Sequence, residues 1–249
     1  MIILKSLQEI EKIQKACLIA ADILEGVQEQ IKPGVTTLFL DEFAEKVILS
    51  VGARPAFKGY RGYPRTLCTS VNEQVVHGIP SKDVVLKSGD IISVDVGTIV
   101  EGFYGDAART FPVGTVTHEA ERLIRTTEEA LLRGITAARA ENRLYDISSA
   151  IQGYAESQGF SVVREFVGHG IGRSLHEDPQ VPNFGTKGQG PRLKEGMVLA
   201  IEPMINAGGS VTVVKEDGWT AVTEDGSLSA HFEHTIAIMP DGPRILTRR

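Results

Sequence analysis

Leu86-Lys87-Ser88-Gly89-Asp90-Ile91-Ile92-Ser93-Val94-Asp95 and Leu193-Lys194-Glu195-Gly196-Met197-Val198-Leu199-Ala200-Ile201-Glu202 are two copies of one pattern. Each runs Leu-Lys-x-Gly, then an apolar β-prone stretch, then a carboxylate at its end. Each is followed by a second acid, Asp106 after Asp95 and Glu233 after Glu202. A repeated strand that carries acids toward one place predicts a pseudo-symmetric site. Two ordinary strands with polar ends would not explain acids inside apolar runs, because a buried carboxylate is costly unless paired or bound to a cation.

Outward from the repeat, each half of the chain reads as two helices followed by strands. Ser6-Leu7-Gln8-Glu9 is a capping-box pattern. Behind it Ile10, Ile13, Cys17, Ala20, Leu24 and Val27 form an apolar stripe at helical spacing that stops at Pro33-Gly34. A second helix is predicted from Thr37 to about Val51. Strands follow at 66–71, 84–86, 91–98 and 103–111, separated by Gly and Pro. After Pro112 the order returns, with helices predicted over 117–139 and 144–158. Strand-like segments then fall at 162–167, 197–204, 211–214, 220–222 and 231–238. No Ser/Pro-rich linker separates the halves. The expectation is one α+β domain over residues 1–249, in two similar halves of about 1–112 and 113–249, with helices packed over a strongly curved antiparallel sheet.

Composition sets the class. The chain has 249 residues, 42% hydrophobic and 23% charged, ordinary proportions for a globular protein with a full core. A net charge of −6 without a Lys/Arg run offers no phosphate-binding stripe for a nucleic acid. The two cysteines, Cys17 and Cys68, lack Cys-x-x-Cys spacing, which argues against a disulfide framework or zinc finger and fits a reducing cytosol. No signal-peptide pattern occurs, and no run reaches the roughly 20 apolar residues of a membrane span. A soluble cytoplasmic protein is expected.

The chemistry begins at Asp95 and Asp106. A hairpin placing them directly opposite each other would fold back between Val100 and Glu101 through a loop of about four residues, Ile99–Gly102. Two ionised carboxylates with Cβ atoms roughly 5 Å apart across a ladder repel by a few kcal/mol at an effective dielectric of about 20. A shared proton or a cation would relieve the repulsion. The remaining acids favour cations. His169 lies in Gly168-His169-Gly170-Ile171-Gly172, where small neighbours permit close approach. Glu202 precedes Pro203, which pushes it toward extended geometry. Glu233 sits in the alternating His231-Phe232-Glu233-His234-Thr235. Four carboxylates balance two divalent ions, and oxygen ligands with one imidazole suit Mn, Fe(II), Co or Mg better than a thiolate-rich zinc site. Two such ions about 3.5–4 Å apart are a common device for activating water toward a carbonyl carbon or a phosphorus.

These motifs also carry a resemblance. Gly59-Tyr60-Arg61-Gly62-Tyr63-Pro64, Cys68, Ser70-Val71-Asn72-Glu73, His77-Gly78-Ile79-Pro80, Asp95-Val96-Gly97 and Gly105-Asp106-Ala107-Ala108-Arg109-Thr110 resemble the type I methionine aminopeptidases. So do Gly168–Gly172, His176-Glu177, Gly196-Met197, Ile201-Glu202-Pro203 and Phe232-Glu233-His234-Thr235, in family order along nearly the whole chain. The resemblance implies the pita-bread fold and hydrolytic removal of the N-terminal methionine, a small second residue being favoured. It implies two divalent ions drawn from Co, Mn, Fe(II) or Zn, held by Asp95, Asp106, His169, Glu202 and Glu233, with Asp106 and Glu233 bridging. Asp95 serves one ion, and His169 and Glu202 the other. A bridging water attacks the scissile carbonyl, Glu202 shuttles the proton, His176 stabilises the oxyanion and His77 contacts the scissile amide. Tyr60, Tyr63, Cys68, Leu175 and Trp219 would line the pocket, Leu175 standing where the family often has an aromatic. Nascent chains, met at the ribosome, are the implied partner of a monomer.

Other readings carry different signatures. Xaa-Pro peptidases of this fold usually have a large preceding domain, which a capping box at Ser6 leaves no room for. Type II enzymes carry a helical insertion that the spacings from His169 to Glu202 and Glu233 are too short to hold. A binding protein that kept the fold would show substituted ligands, and a phosphoesterase would want a phosphate-cradling glycine loop before a helix. His118, His231 and His234 read as ordinary surface or core histidines, and Cys17 as a small core residue. Trp219 fits a pocket wall or a loop anchor.

Overall fold

A computed structural model describes residues 1–248. Four helices cover a curled sheet whose strand pairs are all antiparallel: α1 (Leu7–Gln30), α2 (Thr37–Ser50), α3 (His118–Ala137) and α4 (Leu144–Ser157). The capping box forms as expected. The Glu9 amide donates to Ser6 Oγ at 3.3 Å and the Ser6 amide donates to Glu9 Oε2 at 3.0 Å. Every residue of the predicted α1 stripe is buried, none above 3% exposed. Each such Ile, Leu or Val side chain removed from water contributes roughly 1.5–3 kcal/mol. The stripe packs α1 with α2 over the strands of the first half, while α3 and α4 cover the second half with Leu123, Leu131, Ile147 and Ile151.

The middle of the sheet runs in the order Ile91–Val100, Phe103–Pro112, Glu233–Met239, Val198–Ile201, Gly168–Gly170. The seam between the halves is the pairing of Glu233 with Ala108 and His234 with Ala107. Helix α1 is pinned to the first hairpin. Thr98 Oγ1 donates to the Ala16 carbonyl at 2.8 Å, and a Cβ on Gly105 would lie 2.4 Å from the Cys17 nitrogen. Only glycine allows helix and strand this close.

Several predicted strands change. The hairpin turns through Glu101-Gly102 alone, with Val100 paired to Phe103 and Asp95 to Ala108. Both turn residues have positive φ, 52° and 81°, the two-residue turn whose twist matches its flanking strands. Asp106 therefore pairs with Gly97, and the two aspartates are diagonal on one face rather than directly opposite. The 84–86 segment makes one bridge, Thr36 with Val85. Its amide and carbonyls bond the loop before α2 instead: Leu86 to Val35 and Gly34, Val84 to Thr37. The 162–167 strand stops at Val162, since Arg164-Glu165 turn to solvent.

The two longest predicted strands of the second half each break. The 197–204 run becomes Val198–Ile201 and Met204–Asn206, because Pro203 has no N–H for a ladder. The 231–238 run becomes Ser229–His231 and Glu233–Met239. Both breaks fall together. Met204 pairs with His231 in a separate small sheet, while Ile201 pairs with His234 in the main one. Two adjacent chains thus change sheets side by side, at Glu202-Pro203 and at Phe232. Strands at 54–55, 74–76, 177–181 and 242–245 escaped the sequence pattern. Glu177–Val181 contains Pro179 and acids, and it forms the sheet's edge, where both are tolerated.

Candidate metal centre

The five candidate ligands fall on five adjacent strands. In sheet order they are Asp95, Asp106, Glu233, Glu202 (one residue past Ile201) and His169. The register puts them on one face. Asp95 and Glu233 both pair with Ala108, while Thr235 and His169 both pair with Ala200, two residues before Glu202. The residues paired with the ligands are small, Gly97 opposite Asp106, Ala108 opposite Asp95 and Glu233, and Ala200 opposite His169, which leaves room above them.

Ligand atoms of Asp106, His169 and Glu233 all lie within 4.8 Å of one another. His169 Nε2 is 3.9 Å from Asp106 Oδ2 and 3.4 Å from Glu202 Oε1. The Asp95 carboxyl hydrogen-bonds that of Asp106. His169 Nδ1 lies 2.9 Å from the Gly170 carbonyl. A donor to that oxygen must carry the ring proton, so Nε2 presents a lone pair to the acids. Asp95 Oδ1, Asp106 Oδ1 and Glu233 Oε1 are buried and have no hydrogen-bond partner. Unpartnered buried oxygens are expensive unless something positive meets them. Four carboxyls and one imidazole nitrogen facing a common space fit two divalent cations in charge and in donor type.

Burial sets the protonation of the centre without cations. It pushes Asp95, Glu202 and Glu233 well above the carboxylate range, with the neighbouring acids adding to the rise. Asp106 is pushed up to about 7 by burial, against hydrogen bonds from Asp95 and the Ala107 amide that lower it. Burial lowers His77 and His234 to about 4, and His169 and His231 to about 3. Between about pH 4 and 6.5 the two groups act oppositely on stability, since raised acids favour the fold at low pH and depressed histidines at high pH. Above pH 6.5 the histidines are neutral in both states and only the acids still titrate. Cation-free protein is therefore expected to lose stability from pH 6.5 upward, by about 1.4 kcal/mol per pH unit for each proton kept by the fold. Bound divalent ions displace those protons, so the gap in Tm between Mn-loaded and chelated protein should widen from pH 6.5 to 8. A gap independent of pH, read by scanning calorimetry, would contradict this account of the centre.

Beside the acids opens a cleft that brings together all twelve residues predicted for the site, with Phe57 and Arg61 besides. Tyr63, Cys68 and Leu175 are buried in its wall, and Tyr60 and Trp219 are half-buried at its side. The Tyr63 hydroxyl is 2.9 Å from the Leu67 carbonyl and 3.1 Å from that of Gly78, and its ring meets Trp219 edge-on at 5.0 Å. Trp219 is thus part of the wall. Burial, then the nearby Asp95 charge, pushes the Cys68 thiol far up, so it lines the cleft as an uncharged thiol.

His176 stands at the rim, with its ring 4.3 Å from that of His169 and Nδ1 2.8 Å from the Tyr60 hydroxyl. His77 takes positive φ, 61°, and its ring meets Phe166 and Trp219 edge-on at 5.5 and 6.3 Å. A histidine in this sparsely populated conformation at a cleft wall is strain held by its surroundings. Sequence reasoning missed Phe57, Arg61, Phe166 and, above all, His231. Read as an ordinary histidine, His231 is 2% exposed with Nε2 3.7 Å from Glu202 Oε2. It stands two residues before Glu233 in sequence, but the break at Phe232 puts the two on different strands, so no local pattern marked it. Surface or core remains the description of His118 and His234.

A sheet that gathers four acids and a histidine beside a cleft with an aromatic wall defines a class, metal-dependent hydrolases, and comparison with known proteins agrees. The profile of metallopeptidase family M24 matches residues 11–240, and the chain belongs to that family. Its full-length likeness is to methionine aminopeptidases. That of Clostridium perfringens is 56% identical over 99% of both chains, and methionine aminopeptidase 1 of Bacillus subtilis is 52% identical over the whole of both. The crystal structure of methionine aminopeptidase from Thermotoga maritima superposes with a TM-score of 0.99 at 51% identity, covering all of both chains. The fold is the pita-bread fold that the sequence motifs implied.

Proposed function

We propose that the chain cleaves the N-terminal methionine from peptides and nascent proteins whose second residue is small, using two divalent cations held by Asp95, Asp106, His169, Glu202 and Glu233. The observation that carries the reading is the juxtaposition of unpartnered carboxylate oxygens with a cleft wall of aromatic and apolar side chains. Cations so held would supply Lewis-acid polarisation of the scissile carbonyl and an attacking water that is nucleophilic at neutral pH. Asp106 and Glu233, on neighbouring strands at the seam, would be shared between the two cations, with Asp95 on one side and His169 and Glu202 on the other completing the set. Glu202 takes up the proton released in the attack and returns it to the leaving amine. His176 donates from the rim to the oxygen on which charge develops. His77, neutral at working pH because burial and the His176 ring lower it to about 4, holds the scissile amide as a hydrogen-bonding group rather than as a cation.

The cleft determines which first residue reaches the acids. Tyr60, Tyr63, Cys68, Leu175 and Trp219 offer aromatic and soft apolar surface that suits an unbranched thioether. Leu175 fills less of the wall than an aromatic would. One methylene more or less is worth about 1–3 kcal/mol in such a pocket, so norleucine should be accepted, leucine handled poorly and lysine refused. A bulky second residue would press on His77. The test is a cation-titrated assay of chelator-stripped protein on Met-Ala, Leu-Ala, Lys-Ala and Ala-Pro peptides. Met-Ala should be cleaved at least tenfold faster than the others. Equal rates on Leu-Ala or Lys-Ala, or preference for Ala-Pro, would overturn the reading. The bound cation is expected to be Mn, Co, Fe(II) or Zn, and the cellular setting a cytoplasmic monomer working on chains that leave the ribosome.

A further inference from the structure

Nothing in the mechanism above uses His231, yet among the described residues no other buried side chain outside the ligand set presents an unpartnered polar atom to Glu202. Its Nε2 is buried without a hydrogen-bond partner and faces Glu202 Oε2 across 3.7 Å. The other oxygen of the same carboxylate, Oε1, faces His169 Nε2 at 3.4 Å. Glu202 is therefore flanked by two imidazoles, one on the cation side and one behind it. The backbone of His231 is fixed independently of its ring. Its amide donates to Thr110 Oγ1 at 2.9 Å, the Thr110 hydroxyl donates back to its carbonyl at 2.8 Å, and Ser93 Oγ lies 2.8 Å from that hydroxyl. The hydrogens of Thr110 are then spoken for, and Ser93 must donate to it. The sheet change at Phe232 places this anchored ring against Glu202, because Met204 pairs with His231 while Ile201 pairs with His234.

We infer that His231 is a positioning residue whose Nε2–H holds Oε2 of Glu202, turning Oε1 toward His169 and the cation site. The inference rests on the proposed role of Glu202 as ligand and proton acceptor. A gap of 3.7 Å is longer than a hydrogen bond, and contacts of this kind tighten when a site takes up its ions and substrate. Outer partners of metal ligands typically carry a ten- to hundredfold share of affinity or activity.

The test compares His231→Met and His231→Gln in the full chain. Both side chains are unbranched and of similar length, and they differ in the N–H that can reach Glu202. With saturating Mn2+ and a Met-Ala peptide, His231→Met should lower kcat at least tenfold with KM nearly unchanged. His231→Gln should recover most of that loss. Calorimetric titration with Mn2+ alone should show affinity falling about tenfold for Met and little for Gln, in proteins of similar Tm. Should the Met variant fail to fold, His231→Asn, whose N–H stops short of Glu202, takes its place. A Met variant equal to wild type in kcat and Mn2+ affinity overturns the inference. So does a Gln variant as impaired as Met, or a change confined to KM. A wild-type protein that binds Mn2+ but cleaves no Met-Ala peptide sinks the proposed activity instead, while the titration still decides whether His231 serves Glu202.

Discussion

Asp106→Asn or Glu233→Gln is expected to lower kcat on a Met-Ala peptide by on the order of 10³-fold, about 4 kcal/mol of transition-state stabilisation, and to cut the tightly bound divalent ions from two to one. The two residues occupy neighbouring strands across the seam between the halves, each with a buried carboxylate oxygen that has no partner in the protein. An amide of the same shape keeps the packing and removes both the charge and one acceptor. A residue shared by two ions removes them from both, whereas Asp95→Asn would weaken only one. The same substitution should raise the stability of the cation-free protein above pH 7. Burial already pushes Asp106 up to about 7 and Glu233 well above its ordinary value, so a neutral amide removes the cost, as a retained proton or a desolvated charge, that the carboxyl imposes on the fold above pH 7. Activity lost while chelated protein gains Tm is a pairing that simple misfolding cannot produce. Calorimetry that shows two ions still bound tightly to Asp106→Asn would refute the bridging role.

The sheet that carries these acids was legible because the repeat at Leu86 and Leu193 combines apolar runs with acids, and burial makes that combination informative. The helices were legible to within a few residues, since α1, α2, α3 and α4 each carry an apolar stripe and a definite start, Ser6 for α1 and Thr117 for α3. What escaped depends on pairing rather than on local pattern. The register of the hairpin was misjudged because placing Asp95 opposite Asp106 set a four-residue loop. The positive φ of Glu101 and Gly102 is a backbone choice that only twist matching explains. Pro203 marked an interruption, but the simultaneous break at Phe232 comes from its neighbour across the sheet, where the Phe232 amide donates to the Pro203 carbonyl at 3.3 Å. That paired break is also why His231 went unread. Its consequence, an imidazole behind Glu202, exists only once two distant strands cross between sheets together.

Replacing His176 or His77 by Ala should cost on the order of 10²-fold in kcat, about 2.7 kcal/mol, with two ions still bound. Neither ring belongs to the group of ligand atoms around His169. His176 lies over the His169 ring, with Nδ1 against the Tyr60 hydroxyl at 2.8 Å. If that hydroxyl donates to Nδ1, the neutral ring keeps its proton on Nε2, the atom free to meet a developing oxyanion. Partial burial and the Arg61 charge hold the ring below its ordinary pKa, so the neutral form is the working one. Tyr60→Phe tests the arrangement directly. It leaves His176 in place but releases its tautomer, and it should lower kcat by about tenfold without changing KM. His77 is held between Phe166 and Trp219 in a backbone conformation that alanine tolerates no better than histidine. Truncation therefore removes the ring without releasing strain. Because burial keeps His77 neutral down to about pH 4, the kcat/KM profile should show no inflection from it near pH 6.5. If either alanine variant loses its ions in parallel with activity, these histidines hold the centre together rather than act on the transition state.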